Sequence, residues 1–299
     1  MPAFLFPGQG SQQAGAAALF QDTCPESHAL FDIAQNILSN ELYHLIMEGT
    51  QEALHDTRVA QPALVCVEVA VAAYLQHLGV EPAACAGHSL GEISALVAAG
   101  AIDFADALVF VVERARLMST DVPEGGMTAV LGLAPADIEA LLPDDVQVAN
   151  YNGSFQTIIS GTGDALKEAA RRLKEGGAKR LLPLSVSGPF HSKFMKPAAD
   201  QLAAFLKAFP ILPPKRPFLS SVSGEWETDP EAIRSLLAAQ LYRPVQWTRV
   251  MEQLGKRSAV EAGPGTVLQG LAKRTPDGPV VCGGAAPEQC RNFAAREGG

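Results

Sequence analysis

Apolar positions along this 299-residue chain repeat in two rhythms. Short apolar runs at 3–6 and 82–86 end in the turns Pro7-Gly8-Gln9-Gly10 and Gly87-His88-Ser89-Leu90-Gly91. Runs of that length, closed by Gly or Pro, read as buried strands. Between and after them the spacing is helical, at 27–38, 61–78, 92–99 and 103–118, with Asp103 placed as an N-cap. The stretch 62–78 is the longest apolar one. It contains Glu68, Gln76 and His77, so it predicts a core helix rather than a membrane span.

The texture changes near residue 121. A strand pattern at 127–133 is followed by a helix at 136–142, strands at 146–151 and 156–160, a helix at 164–175 stopped by Gly176-Gly177, and a strand at 179–186. The order β-α-β-β-α-β is that of a ferredoxin-like unit. The expected organisation is a small domain at 121–186 inserted into a larger α/β domain formed by 1–120 and 187–299. Helices at 194–208, 231–239, 245–254 and 266–273 and strands at 218–221 and 258–261 complete the larger part. The Gly-rich stretch from 276 onward predicts a frayed end.

Composition narrows the function. Hydrophobic residues make up 47% and charged residues 18%, a globular balance, and the net charge of −9 disfavours nucleic acid. The five cysteines are odd in number and form no Cys-x-x-Cys pair, which argues against a disulfide framework or a zinc site. Cys66 and Cys85 lie in apolar surroundings and read as core thiols. The first residues carry no basic segment, so no secretory signal is expected, and a reducing cytoplasm fits.

Gly87-x-Ser89-x-Gly91 has the form of a nucleophile elbow, a sharp strand-to-helix turn that exposes its serine. The pentapeptide alone also fits an ordinary Gly-rich turn; the flanking strand and Ala-rich helix favour the elbow. Gly8-Gln9-Gly10 lacks the spacing of a dinucleotide loop. A serine nucleophile needs a base. Of the six histidines, His28, His44, His55 and His77 read as surface or core-edge residues, and His88 as a packed support. His191, in the loop Ser187-Gly188-Pro189-Phe190-His191-Ser192, reads locally as a solvated residue as readily as a base. No convincing acid lies between Ser89 and His191 to complete a hydrolase triad. Arg114, beside Glu113, has the ion-pair reading of any helical Arg-Glu neighbour.

Several segments together resemble one family. Gly87-His88-Ser89-Leu90-Gly91-Glu92, Phe6-Pro7-Gly8-Gln9-Gly10-Ser11-Gln12, Gln61-Pro62-Ala63, Ile102-Asp103-Phe104-Ala105-Asp106-Ala107, Tyr242-Arg243-Pro244-Val245-Gln246-Trp247 and Glu261-x-Gly263-Pro264-Gly265 are similar, in this order, to malonyl-CoA:acyl carrier protein transacylases and the acyltransferase domains of polyketide and fatty-acid synthases. The resemblance implies an α/β-hydrolase-like domain with a ferredoxin-like insert. It implies Ser89 as nucleophile and His191 as base, oriented by a backbone carbonyl near Gln246. It further implies an oxyanion hole from the N–H groups of Gln9 and Leu90, and Arg114 holding the malonyl carboxylate. Phe190 and Gln246 would join Arg114 around the substrate, with the Phe190 ring disfavouring an α-methyl. No permanently bound cofactor is implied; malonyl-CoA is the substrate and an acyl carrier protein the partner. Lys273, Arg274, Lys179 and Arg180 are candidate docking residues, with Arg171, Arg172 and Lys193 behind them. A monomer is expected, as no apolar repeat or heptad suggests assembly. Competing expectations are an acyl hydrolase acting on carrier proteins, a generic esterase and an inactive docking subunit; Arg114 argues against the first.

Overall fold

The computed structural model describes residues 1–298. Its ten strands, in chain order, are β1 (Ala3–Phe6), β2 (Ala84–Gly87), β3 (Gly125–Leu131), β4 (Val146–Tyr151), β5 (Gln156–Thr162), β6 (Arg180–Pro183), β7 (Phe218–Leu219), β8 (Trp226–Glu227), β9 (Ser258–Glu261) and β10 (Val280–Gly283). They form two sheets, of order β10-β9-β1-β2-β7-β8 and β4-β5-β3-β6. In the larger sheet every pair is parallel except the edge pair β7–β8. Its central strands β1 and β2 are wholly buried, which is why they read as unbroken apolar runs rather than alternating ones.

The smaller sheet is antiparallel throughout. Counted within the insert, its order is second-third-first-fourth, as the β-α-β-β-α-β reading requires of a ferredoxin-like unit. One face packs its own core of Val130, Ile138, Val146, Ile159, Ala169 and Leu173. The smaller sheet meets the rest of the molecule through β4, which pairs with the segment just before helix Trp247–Leu254. Asn150 bridges Val245 in parallel, Tyr151 N–H donates to Val245 O at 2.9 Å, and Val245 N–H donates to Ala149 O at 2.8 Å.

Helix Thr57–His77 is long and apolar enough to span a membrane by composition, but 89% of that window is buried inside the protein. Helices Pro25–Ile37, Gly91–Ala98, Phe104–Leu117 and Pro287–Glu297 pack against it. It starts one turn earlier than the expected 61. Asp56 caps it by accepting from Arg58 N–H, and Pro62 lies inside the helix instead of opening it.

Three other expectations need correction. The stretch from 276 to 298 is not frayed: β10 and helix Pro287–Glu297 both lie there, because β9 offers β10 a parallel partner and Cys290 and Phe293 are buried. Strand β6 is shorter than 179–186, since after a last bond from Leu184 N–H to Met127 O at 2.9 Å the chain turns along the cleft. Helices Ala16–Gln21 and Asn40–Glu48 were not expected.

Candidate active site

The elbow forms where β2 meets helix Gly91–Ala98. A Cβ on Gly87 would lie 2.0 Å from the carbonyl carbon of Gly91, and one on Gly91 would lie 2.2 Å from Phe6 O, so neither position admits a side chain. Ser89 is left in the left-handed region at φ 52°, a conformation that costs a non-glycine residue roughly 1–3 kcal/mol. His191 shares that strain at φ 57°.

Ser89 Oγ and His191 Nε2 are 2.8 Å apart. On the far side of the ring, Nδ1 lies 3.1 Å from Arg243 O, and the His191 N–H donates to Leu241 O at 2.9 Å. The carbonyl fixes the tautomer: Nδ1 carries the proton and Nε2 turns its lone pair to Ser89. It belongs to Arg243, three residues before the expected Gln246. Gln246 is not in the cleft; its N–H donates to Ser221 O, and it precedes helix Trp247–Leu254. Burial, and then the charge of Arg114, push the His191 pKa down to about 4. The imidazole is therefore neutral and able to take a proton at pH 7.

The loop after β1 lies against the elbow. A Cβ on Gly8 would come 2.7 Å from His88 O, so this close approach needs glycine. Gln9 is anchored by its side chain, which donates to Thr57 Oγ1 at 3.0 Å. Among the described residues, neither the Gln9 nor the Leu90 backbone N–H has a hydrogen-bond partner. Both residues line the same cleft as Ser89, His191, Arg114 and Phe190, which holds about 230 Å³. His88 faces away from the base: its Nε2 meets Asn152 Oδ1 at 2.9 Å and its ring packs edge-on against Trp247.

Arg114 is only 1% exposed and makes no ion pair with Glu113. Glu113 pairs instead with Arg116, three positions along and on the solvent side. Two neutral amides hold Arg114: Nη1 donates to Gln61 Oε1 at 2.6 Å and Nη2 to Gln240 Oε1 at 2.8 Å. Its Nε has no partner. A guanidinium has five N–H groups, so the cleft contains an under-satisfied cation. Burial lowers its pKa to about 10, which leaves it charged at neutral pH.

Gln61 and Gln240 were not singled out as site residues. Each is a lone amide in an otherwise apolar run, and Gln61 also opens the family-like segment Gln61-Pro62-Ala63. The basic candidates separate by position. Arg171 and Arg172 pair with Glu168, and Lys193 with Asp145. Lys179 and Arg180 lie at the end of β6 away from Leu184 and Val186, which line the cleft. Lys273 and Arg274 follow helix Val267–Ala272, whose Val267 also lines it, and Arg274 stacks on Phe155 at 5.2 Å.

A serine activated by an imidazole that leans on a carbonyl, with a buried cation in the same cleft, is equipped to hold an acidic acyl group as an ester. The chain belongs to the acyl transferase family: the profile of the acyl transferase domain matches residues 3–284. It is 44% identical over 286 residues to the malonyl CoA-acyl carrier protein transacylase of Bacillus subtilis, covering 91% of this chain and 89% of that one. Identity to the protein of the same name from Escherichia coli K12 is 43%, covering 92% and 93%. The fold is similar to that of the acyl-carrier-protein S-malonyltransferase of Burkholderia pseudomallei, with a TM-score of 0.92, 37% identity and coverage of 98% and 99%. The same TM-score and identity relate it to a malonyl-transacylase solved in complex with a type II polyketide synthase acyl carrier protein, again covering 98% and 99%.

Proposed function

We propose that this protein transfers a malonyl group from malonyl-CoA to the phosphopantetheine thiol of an acyl carrier protein, for fatty-acid or polyketide synthesis. The observation that carries the reading is the 2.8 Å Ser89–His191 pair sharing one cleft with the buried, under-satisfied Arg114. The relatives named above support it.

In the first half-reaction Ser89 Oγ attacks the thioester carbonyl as its proton passes to His191 Nε2. The oxyanion lies between the N–H groups of Gln9 and Leu90; removing one such donor typically costs about 10²–10³ in rate. Collapse breaks the C–S bond, and His191 returns the proton to the departing coenzyme A thiolate. The second half runs the same steps with the carrier's thiol: its proton goes to His191, sulfur attacks the ester, and Ser89 Oγ leaves and is reprotonated. Throughout, Arg114 holds the free malonyl carboxylate in a planar, paired contact.

Phe190, 4% exposed, forms part of the cleft wall and opposes an α-methyl group. Such a methyl is worth roughly 10–200-fold in discrimination. The carrier protein docks beside Lys273 and Arg274, and the enzyme works as a cytoplasmic monomer.

The test uses labelled malonyl-CoA with a purified carrier protein. Label should appear on Ser89 in a peptide digest and then on the carrier, and Ser89→Ala should abolish both. Transfer that survives this substitution would sink the mechanism. Free malonate as the main product, with the carrier present, would assign the protein as a hydrolase instead.

A further inference from the structure

Behind Arg114 lies a second layer that the acyl-transfer steps do not use. Glu92, 1% exposed, sits in the first turn of helix Gly91–Ala98, three residues past the nucleophile. Its carboxylate accepts from Ser220 Oγ at 2.6 Å, Ser221 Oγ at 2.8 Å and Gln240 Nε2 at 2.6 Å. Ser220 Oγ itself accepts from Val222 N–H, which commits its own hydrogen to Glu92. Gln240 then passes the contact on, since its Oε1 accepts from Arg114.

We propose that Glu92 is a positioning residue for the carboxylate clamp, locking the Gln240 amide so that its oxygen, and not its NH2 group, faces Arg114. A glutamine amide has two nearly isosteric ends, and only its partners decide which way it points. For Gln240 both N–H bonds are committed, one to Glu92 and one to Ser89 O at 3.1 Å. Gln61 has no comparable anchor, because its Nε2 meets only the sulfur of Met118, a weak acceptor. The Glu92–Gln240 pair is therefore what sets the geometry of the guanidinium.

The intervening amide also decides the electrostatics. A carboxylate paired directly with Arg114 would occupy the fork that a substrate must use. Set back behind Gln240, Glu92 leaves the remaining N–H groups of Arg114 free; burial raises its pKa, and the three donors on its carboxylate favour the charged form that compensates the cation. A Gln at position 92 keeps the volume and loses both effects. It could donate to Gln240 Oε1, and the flipped amide would then set donor against donor at Arg114.

The proposal rests on the reading of Arg114 as the malonyl clamp, so the experiment tests the two separately. Single-turnover loading of Ser89 is measured with malonyl-CoA and with acetyl-CoA, which lacks the carboxylate. The proteins are the wild type, Arg114→Ala, Glu92→Gln and the double variant. Arg114→Ala is expected to cut the malonyl-to-acetyl ratio of kcat/KM by about 10–100-fold, the worth of a hydrogen bond to a charged group. Glu92→Gln is expected to cut it about tenfold, chiefly through KM for malonyl-CoA, and to add nothing in the Arg114→Ala background. An unchanged ratio in Arg114→Ala overturns the clamp itself. A lowered ratio there overturns the role of Glu92 if Glu92→Gln keeps the wild-type ratio, loses both substrates equally, or adds its full effect to Arg114→Ala. If Glu92→Gln does not fold by circular dichroism, Gln240→Met carries the same test. It removes the relay at similar volume, and a wild-type ratio in that variant overturns the proposal.

Discussion

At the scale of single residues the site turns on one imidazole kept from protonation. Burial comes first in depressing the His191 pKa to about 4, and the charge of Arg114 second. Only the neutral ring can accept the Ser89 proton, so loading should hold steady from neutral pH downward and fall as pH drops through about 4. An ordinary histidine would lose activity near 6.5. In Arg114→Ala the repelling cation is gone and water enters, so the acid limb should move up toward that ordinary range. Single-turnover loading of acetyl-CoA after a pH jump reads this directly, and an acid limb that stays put would contradict the stated cause. Phe190 gives a second residue-scale prediction: Phe190→Ser should raise loading from methylmalonyl-CoA relative to malonyl-CoA by about tenfold. The ratio of the two labelled serine esters measures it.

Among the elements, the loop after β1 and helix Thr57–His77 carry the most distinct consequences. A methyl at Gly8 meets the backbone of His88 at 2.7 Å, so Gly8→Ala must move the loop that presents Gln9 N–H. The expected result is a fall in kcat of about a hundredfold or more, with the melting temperature little changed. Glu68, in the middle of the long helix, is fully buried, and burial raises its pKa well above the usual carboxylate range. It donates nothing to Ser94, which instead donates to its Oε2 at 2.6 Å, and its Oε1 has no partner. The folded protein therefore keeps a proton that the unfolded chain gives up above about 4.5, and stability should decline as pH rises from there. Glu68→Gln mimics the protonated acid and should flatten that decline, a result urea titrations at pH 5 and pH 8 would show.

Much at this scale was legible in the chain. Periodicity placed β1, β2, the inserted β-α-β-β-α-β unit and most of the helices, because burial on one face or all round leaves its mark on spacing. What it did not place depends on partners distant in sequence. Val280–Gly283 becomes a strand because β9 lies beside it, and its own signal, the run Val280-Val281-Cys282, is only three residues long inside a Gly-rich stretch. In the site, Ser89, His191 and Arg114 stand in motifs that resemble a family. Gln61 and Gln240 matter only because folding brings them to Arg114 across 53 and 126 residues of chain. The orienting carbonyl, expected near Gln246, is that of Arg243; its residue could not be named beforehand, since a backbone acceptor has no side-chain signature.

Taken whole, the molecule is acidic, with a net charge of −9, and so is poorly matched to an acidic partner except where cations stand free. Ion pairs consume Arg171, Arg172 and Lys193. Lys273 is exposed and, among the described residues, has no such pair, so Lys273→Glu should raise KM for the carrier protein several-fold. Hydrolysis of malonyl-CoA without carrier should not change. The wild-type KM should also climb with salt, and less so in the variant, as screening predicts for surface charges. Carrier titrations at low and high ionic strength check both.

The short bridge between β4 and the segment at Val245 has a mechanical side. Within five residues the chain supplies Leu241 O to the His191 backbone, Arg243 O to its ring, and Val245 to the edge of β4. One taut segment thus serves as mount for the base and as axle for the insert. A swing of the insert wide enough to admit a bulky arm, if it turned about that axle, would drag the imidazole off its aim at Ser89. The other margin is coupled to the base as well, since the chain that leaves β6 through Leu184 and Val186 runs directly into the loop that carries His191. A cleft built this way keeps its firing geometry only while both lips hold their place.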